Sequence, residues 1–406
     1  MGLIENLKSY SEEIQISDDK KDLLDSFLSN GFPTTKDEEW KYTSLKKVIA
    51  NEYNIENKGQ VVDDSVIEKY SLGFENQIIF SDGKLINIPT IKGVSISGFS
   101  EFESNTNNSI LNLNKSLSQN GFTISIDKNT VVESPIEILF ISTTETNFSQ
   151  YRNLISIAEN AEVKFVERIQ NLNNSSSFVN NFTRINCDKN TKIEYNKIQN
   201  NTSESQLIDT VNVYQEQDST CDINTLIFGG SFTRNNLNFE QNGFNCESNM
   251  NGVSVLDNNQ LADNHTFVDH KSANCRSNEM YKGIYLDNSK GVFNGKIMVR
   301  PDAQKIDAFQ SNNNLLLSEN SSIDSKPQLE IYADDVKCSH GCTIGQLDAD
   351  ALFYMRSRGI GIEEAKAVLT YAFASEAIEN ISVDQVKLLS KKLLAQKLNV
   401  ELDFSV

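Results

Sequence analysis

A fixed spacing constrains this chain more than any other feature. Val163, Ile193, Ile223 and Val253 lie 30 residues apart each time. Each stands in a short alternating frame: Glu162-Val163-Lys164-Phe165, Lys192-Ile193-Glu194-Tyr195, Asp222-Ile223-Asn224-Thr225 and Gly252-Val253-Ser254-Val255. One unit of this size cannot bury its own apolar face, whereas stacked units bury each other's. The period is short for a four-stranded propeller blade, so the pattern predicts a stacked parallel β-helix.

Period-two alternation continues well beyond those four frames. Phe122, Ile124 and Ile126 alternate, as do Ile136, Ile138 and Phe140, and later Val211 and Val213. Turn-rich stretches such as Asn171–Ser177 separate the runs, so residues 119–345 read as one all-β region. Of the 49 asparagines in the chain, 40 fall between 105 and 320, and there are only five prolines. Asparagine suits tight turns between strands. An AT-rich genome also enriches it, and composition alone does not separate the two causes.

Both flanks change period. Residues 1–118 read as a mostly helical segment with a hairpin. Leu23, Leu24, Phe27 and Leu28 mark an amphipathic helix that stops at Asn30-Gly31, with Pro33 just beyond. Phe80–Leu85 reads as a hairpin turning at Asp82-Gly83. Residues 346–406 read as three helices. The first is capped by Asp348, carries Leu352 and Met355, and stops at Gly359. The second starts at Ile362 with Ala365, Val368, Leu369, Ala372 and Phe373 on one face. The third starts at Ser382, with Gln385 completing a capping box, and carries Val386, Leu389, Leu393 and Leu394. Helices this short form no large core alone, so they pack on the β region or face a partner.

A net charge of −19 argues against general binding to nucleic acid or to an anionic membrane. The longest apolar stretches, near Leu226–Gly230 and Ala367–Ala374, are far shorter than the roughly 20 residues of a membrane span. The first residues carry Glu5, Glu12 and Glu13 and no apolar run, so a secretory signal is not expected. The expected location is the cytoplasm, with the six cysteines as reduced thiols.

The densest chemistry is Cys338-Ser339-His340-Gly341-Cys342. On a strand, residues i, i+2 and i+4 share a face, so two thiols and an imidazole point the same way. Such ligands suit iron, zinc or sulfur species. Paired Cys-x-x-Cys spacing for a tetrahedral zinc is absent, and a buried cysteine pair beside an exposed histidine is the competing reading. His265 and His270 bracket Phe267 and Val268, and their spacing of five suits no single face, so they read as loop or solvated histidines. Arg276 beside Cys275 favours a thiolate weakly. No phosphate-cradling glycine motif and no nucleophile elbow occurs, and no clustered carboxylates suggest a polysaccharide-cleaving β-helix enzyme.

Several stretches carry a family resemblance. They are Asp269–Ser277, Tyr281-Lys282-Gly283, Gly291–Lys296, Asp307–Leu317, Ala333–Gly341 and Leu352–Gly359, with weaker matches at Glu38–Thr43 and Glu133–Ile138. Together they resemble the SufB/SufD family of iron–sulfur cluster assembly proteins over most of the chain. The Cys338-Ser-His340-Gly341 form, and the lack of a cysteine in Phe309–Asn314, resemble the SufD branch.

The resemblance implies a mainly β fold, a right-handed parallel β-helix with helical N- and C-terminal segments. It implies a scaffold subunit with no enzymatic activity that pairs with SufB and binds the ATPase SufC, and a homodimer when alone. His340 and Cys338 are then candidate ligands for iron or nascent cluster at the SufB interface, while Cys342 matches the family less well. No cofactor is expected to stay bound; iron or cluster would be held transiently, together with SufB. The region Leu347–Glu379 is the implied SufC docking surface, with Leu347, Leu352, Phe353, Met355, Arg356, Arg358, Ala365, Leu369 and Phe373 as its candidate residues. The alternative is a purely structural, partner-organising subunit.

Overall fold

The computed structural model describes residues 2–56, 61–102 and 108–400. Its N-terminal helices are α1 (Leu3–Glu13), α2 (Asp18–Asn30), α3 (Lys46–Ala50), α4 (Asp64–Tyr70) and α5 (Ser109–Leu117). Its strands are β1 (Asn76–Ser81), β2 (Lys84–Asn87), β3 (Val94–Gly98), β4 (Phe122–Ile126), β5 (Ile136–Ser142), β6 (Phe148–Ile157), β7 (Glu162–Asn171), β8 (Ser177–Cys187), β9 (Lys192–Gln199) and β10 (Ser205–Gln215). They continue as β11 (Thr220–Ile227), β12 (Phe232–Gln241), β13 (Glu247–Leu256), β14 (Leu261–His270), β15 (Arg276–Tyr285), β16 (Lys290–Val299), β17 (Ile306–Leu316), β18 (Ser322–Ile331) and β19 (Val336–Gly345). Helices α6 (Ala349–Ser357), α7 (Ile362–Ile378) and α8 (Asp384–Lys397) follow.

From β4 onward the strands alternate between two sheets, each strand pairing in parallel with the one two places on. This is the predicted parallel β-helix. The predicted hairpin β1–β2 turns at Asp82 and Gly83, both at positive φ, and β1 also extends one sheet by pairing in parallel with β5.

The coils are not of uniform length. Hydrogen-bonded corner residues on successive coils stand 27 to 31 positions apart. Val163 pairs with Ile193, but Ile193 pairs with Cys221 and Ile223 with Met250. A slip of two keeps a residue on the same face and a slip of three inverts it. Val163, Ile193 and Ile223 accordingly line the lumen, whereas Val253 faces outward beneath the C-terminal helices.

Asparagine enrichment has a structural cause in this fold. Asn129, Asn160, Asn190, Asn245 and Asn274 all sit at positive φ at coil corners, where Asn is tolerated better than most residues. Their side chains also stack: Asn190 Nδ2 donates to Asn160 Oδ1 at 2.9 Å, and Asn160 Nδ2 to Asn129 Oδ1 at 2.8 Å.

The terminal segments cover the outer sheet faces, with α4 joining the C-terminal helices on the sheet that holds β5. Leu3, Leu24, Phe27 and Trp40 pack over Phe148, Phe178, Ile208 and Phe232. On the other sheet, Ala374, Ile378, Val386 and Leu394 pack over Val166, Ile198, Leu226 and Val253. Strands buried on both faces lose simple alternation, and β5 is buried along its whole length.

The C-terminal helices form with two corrections. The buried face of α7 runs through Ala367, Thr370, Ala374 and Ala377, leaving Val368 and Ala372 exposed. The face is rotated because small residues let the helix sit close to the sheet. The cap of α8 is Val383, with no capping box. Ser382 instead directs its hydroxyl and backbone N–H to the Glu194 carboxylate, so a tertiary contact replaces the local cap.

Candidate functional site

Strand β19 ends its sheet, pairing on one side only, with β17. Its register places Cys338 opposite Ala308, His340 opposite Gln310 and Cys342 opposite Asn312. These three partners are buried lumen residues. The alternate residues of β19 therefore carry the lumen-facing row to the last coil, where no further coil covers it. Cys338 is half-buried, and His340 and Cys342 are exposed. The predicted grouping of the three side chains on one strand face thus holds.

The row is supported from below and from the side. Cys342 Sγ lies 3.2 Å from Ser325 Oγ, and that hydroxyl donates to Asn312 Oδ1 at 2.8 Å. Beneath His340, Gln310 Nε2 donates to Glu279 Oε2 at 3.1 Å, and Thr266 Oγ1 donates to the same oxygen at 2.6 Å. Burial, aided by the charge of Asp307, pushes the Cys338 thiol up, against a hydrogen bond from the Ala308 backbone. Cys338 is therefore a protonated thiol at neutral pH and must lose that proton to bind a metal. Among the described residues, no group of three or more His, Cys, Asp and Glu side chains is arranged to hold a metal ion. Ser325, Gln310 and Glu279 were not singled out in the sequence. The signal available was register, with Gln310 one coil and Glu279 two coils from His340 and Ser325 on the preceding strand, and it depends on coil lengths that vary.

The candidate docking residues divide into two groups. Phe353 and Arg356 are exposed on α6 and Arg358 just past its end, beside exposed Tyr354, whose hydroxyl accepts from Arg358 Nη2 at 2.9 Å. Phe353 is 73% exposed, an unusual position for a large aromatic ring. Leu347, Leu352, Met355, Leu369 and Phe373 are half-buried, and Ala365 is fully buried in the packing of α7. Leu347 and Leu352 border a groove of about 420 Å³ whose other apolar walls include Leu286, Leu316, Leu317 and Leu398.

The histidine and Cys275 readings require correction. Both His265 and His270 lie on β14, not in a loop. His270 is fully buried and faces the lumen. His265 faces outward under the N-terminal segment, between Asp263 Oδ1 at 2.9 Å and Glu39 Oε2 at 3.2 Å. Opposite faces at a spacing of five follow from the two-residue strand period. Cys275 is fully buried and its electrostatic neighbours are Cys246 and His270, not the exposed Arg276.

The weak N-terminal match Glu38–Thr43 forms a latch on the same sheet. Arg234 stacks 3.8 Å from the Trp40 ring centroid and donates to the Glu39 carbonyl at 2.8 Å. Thr43 Oγ1 donates to Asp263 Oδ2 at 2.6 Å, and Lys290 Nζ donates to the Tyr42 carbonyl at 3.0 Å. Burial opposes the charge on Asp263, but Arg234 and His265 outweigh it and hold the carboxyl well below its ordinary range.

No helix among the described residues is long and apolar enough to cross a membrane. Comparison with known proteins places the chain. Residues 140–373 match the model of the SufBD core domain of the SUF system for FeS cluster assembly. The chain is 30% identical to the iron–sulfur cluster assembly protein SufD of Escherichia coli over 90% of this chain and 89% of that protein. It is 27% identical to a SufBD family protein of Synechocystis, over 89% and 85% of the two chains. Against the chloroplastic protein ABCI7 of Arabidopsis thaliana it is 26% identical over 89% and 82%. The parallel β-helix and this agreement along nearly its whole length make the chain a member of the SufB/SufD family of iron–sulfur cluster assembly proteins.

Proposed function

We propose that this chain is a non-catalytic scaffold subunit that pairs with SufB, docks the ATPase SufC and lends ligands to iron or nascent cluster as cargo. The observation that carries the reading is the uncovered row of Cys338, His340 and Cys342 on the one-sided strand β19. An unpaired strand edge is a template for a partner chain. In the proposed complex SufB covers that edge and completes the ligand set; in isolation a second copy of this chain covers it. His340 offers an imidazole nitrogen, and Cys338 a thiolate once its proton leaves. The exposed Phe353 and Arg356 of α6, with Arg358 at its C-cap, form the centre of the SufC surface. The cargo is held only transiently, and the complex works in the cytoplasm.

The test is co-purification with SufB and SufC, followed by iron and acid-labile sulfide analysis of wild type and His340→Ala. The expected outcome is an intact three-component complex whose cluster content falls with the substitution. Unchanged content would leave a structural subunit only. Absence of any complex would overturn the proposal.

A further inference from the structure

The four buried cysteines form two pairs. Cys187, which closes β8, and Cys221, on β11, belong to the lumen core. Cys246 and Cys275 precede β13 and β15 at the same corner of successive coils, in a separate apolar cluster with Ile297, Val299 and Ile306. Each follows an asparagine at positive φ, Asn245 or Asn274, and each precedes a residue of the in-register pair Glu247 and Arg276.

The two sulfurs of the second pair converge. Cys246 Sγ donates to the Gly243 carbonyl at 3.1 Å and Cys275 Sγ lies 3.4 Å from the same oxygen. The Cys246 backbone N–H donates to Cys275 Sγ at 3.4 Å. Neighbouring strands stand about 4.8 Å apart, inside the Cα separation of about 4.4–6.8 Å that a disulfide spans. Cys338 and Cys342, four residues apart on one strand, are separated by about 13 Å and do not meet this condition.

Within the second pair Cys275 is the activated thiol, while the Cys275 side chain, then burial, push Cys246 well up. The Cys246 side chain, then the His270 imidazole, pull the Cys275 thiol below its ordinary range, against burial. Within the lumen His270 Nε2 lies 3.0 Å from Ser277 Oγ, and its buried Nδ1 has no hydrogen-bond partner among the described residues. In the first pair, burial foremost pushes the Cys221 thiol well up. A surface groove of about 560 Å³ runs over Asn245, Asn274 and Arg276, the residues flanking Cys246 and Cys275, with Ile306 of the same cluster in its wall. A small oxidant therefore arrives one residue away from either sulfur.

We propose that Cys246 and Cys275 are a reversible oxidation site, closed to a disulfide by hydroperoxide. The Cys275 thiolate attacks one peroxide oxygen, the O–O bond breaks, and hydroxide leaves and takes up a proton to become water. Cys275 is then a sulfenic acid. The Cys246 sulfur attacks it as thiolate, the S–S bond forms, the S–O bond breaks, and a second water leaves with the Cys246 proton. Two thiols lose two electrons and two hydrogens, and hydrogen peroxide becomes two waters.

The test uses the full chain carrying Cys338→Ser and Cys342→Ser, which leaves the four buried cysteines. The folded protein is treated with hydrogen peroxide, denatured, alkylated, and mapped without reduction. The expected result is the loss of two alkylatable thiols, a peptide joining Cys246 to Cys275, and full recovery with dithiothreitol. Adding Cys275→Ser should leave all three remaining thiols alkylatable. His270→Gln should slow thiol loss at neutral pH by about tenfold. Four thiols still alkylatable, a Cys187–Cys221 link, or sulfenic acid on Cys275 with Cys246 free would each overturn the proposal, and an unchanged rate in His270→Gln would remove the imidazole from it.

Discussion

Lys197 Nζ lies 2.7 Å from Asp209 Oδ2, with both side chains sealed inside the lumen of the β-helix. Around them, Asn181 Nδ2 donates to Asp209 Oδ1 at 3.2 Å and Gln199 Nε2 bridges Asp209 and Asn235. The interior is thus not uniformly apolar: this polar cluster shares the lumen with Ile193, Tyr195, Val211 and Val213 of the same strands. Lys197→Met leaves Asp209 buried without its cation, and is expected to cost about 3–5 kcal/mol. Lys197→Met with Asp209→Leu should recover much of that loss. Urea unfolding of the three proteins measures both effects.

Two lumen carboxyls give the fold a pH dependence. Burial foremost pushes Glu167 up to about 7, with Asp209 adding to it, and pushes Glu279 up to about 7. Between about 4.5 and 7 the folded protein holds protons that the unfolded chain releases. Stability from these groups is therefore full below 4.5 and falls as pH rises through 7. Glu279→Gln should lack one share of this slope, gaining on the wild type by on the order of 1–3 kcal/mol between pH 5 and 8. Thermal melts across that range check it, and parallel curves for the two proteins would contradict it.

The single tryptophan reports on the N-terminal latch. Arg234→Gln removes the cation over the Trp40 ring and the partner of buried Asp263. We expect a red-shifted Trp40 emission as the ring becomes wetter, and a destabilisation of about 3–5 kcal/mol. If the emission maximum stays where it is, the latch does not depend on this arginine.

Coil packing is tight enough to exclude a methyl group at Gly252. A Cβ there would stand 2.2 Å from the Tyr281 ring on the next coil. Gly252→Ala should destabilise by about 1–3 kcal/mol, and by less in a Tyr281→Ala background. A double-mutant cycle by denaturant unfolding measures the coupling.

Phe353→Asp should leave the melting temperature within about 2 °C of wild type, because the ring is 73% exposed. It should also abolish recovery of SufC with the complex while SufB is retained. Retention of SufC would move the docking surface away from α6.

The architecture could be read from the residues because stacking imposes a period on the apolar positions. The positions Val163, Ile193 and Ile223 show it directly, while Val253 does not, since corners of unequal length shift the register without disturbing the stack. The row Cys338–His340–Cys342 was readable because strand alternation alone fixes it. Its support by Gln310 and Ser325 was not, because those contacts arise from pairing between distant segments. The same limit applies to His265 and His270. Their placement on opposite faces of β14 follows from its period, but what meets each is set by a residue more than 200 positions away in one case and by the following strand, across the lumen, in the other. At Ser382 a local capping pattern gave way to the carboxylate of Glu194.

The stacked corner asparagines make the rod divisible. Asn160 and Asn190 occupy the same place on successive coils, 30 residues apart. Excising the segment between such equivalent corners would shorten the molecule by one layer and leave the two ends chemically unaltered. The distance between the β1–β2 hairpin and the thiol–imidazole edge at opposite ends of the same sheet is therefore an adjustable dimension, set by the number of layers and separable from the chemistry displayed at either end.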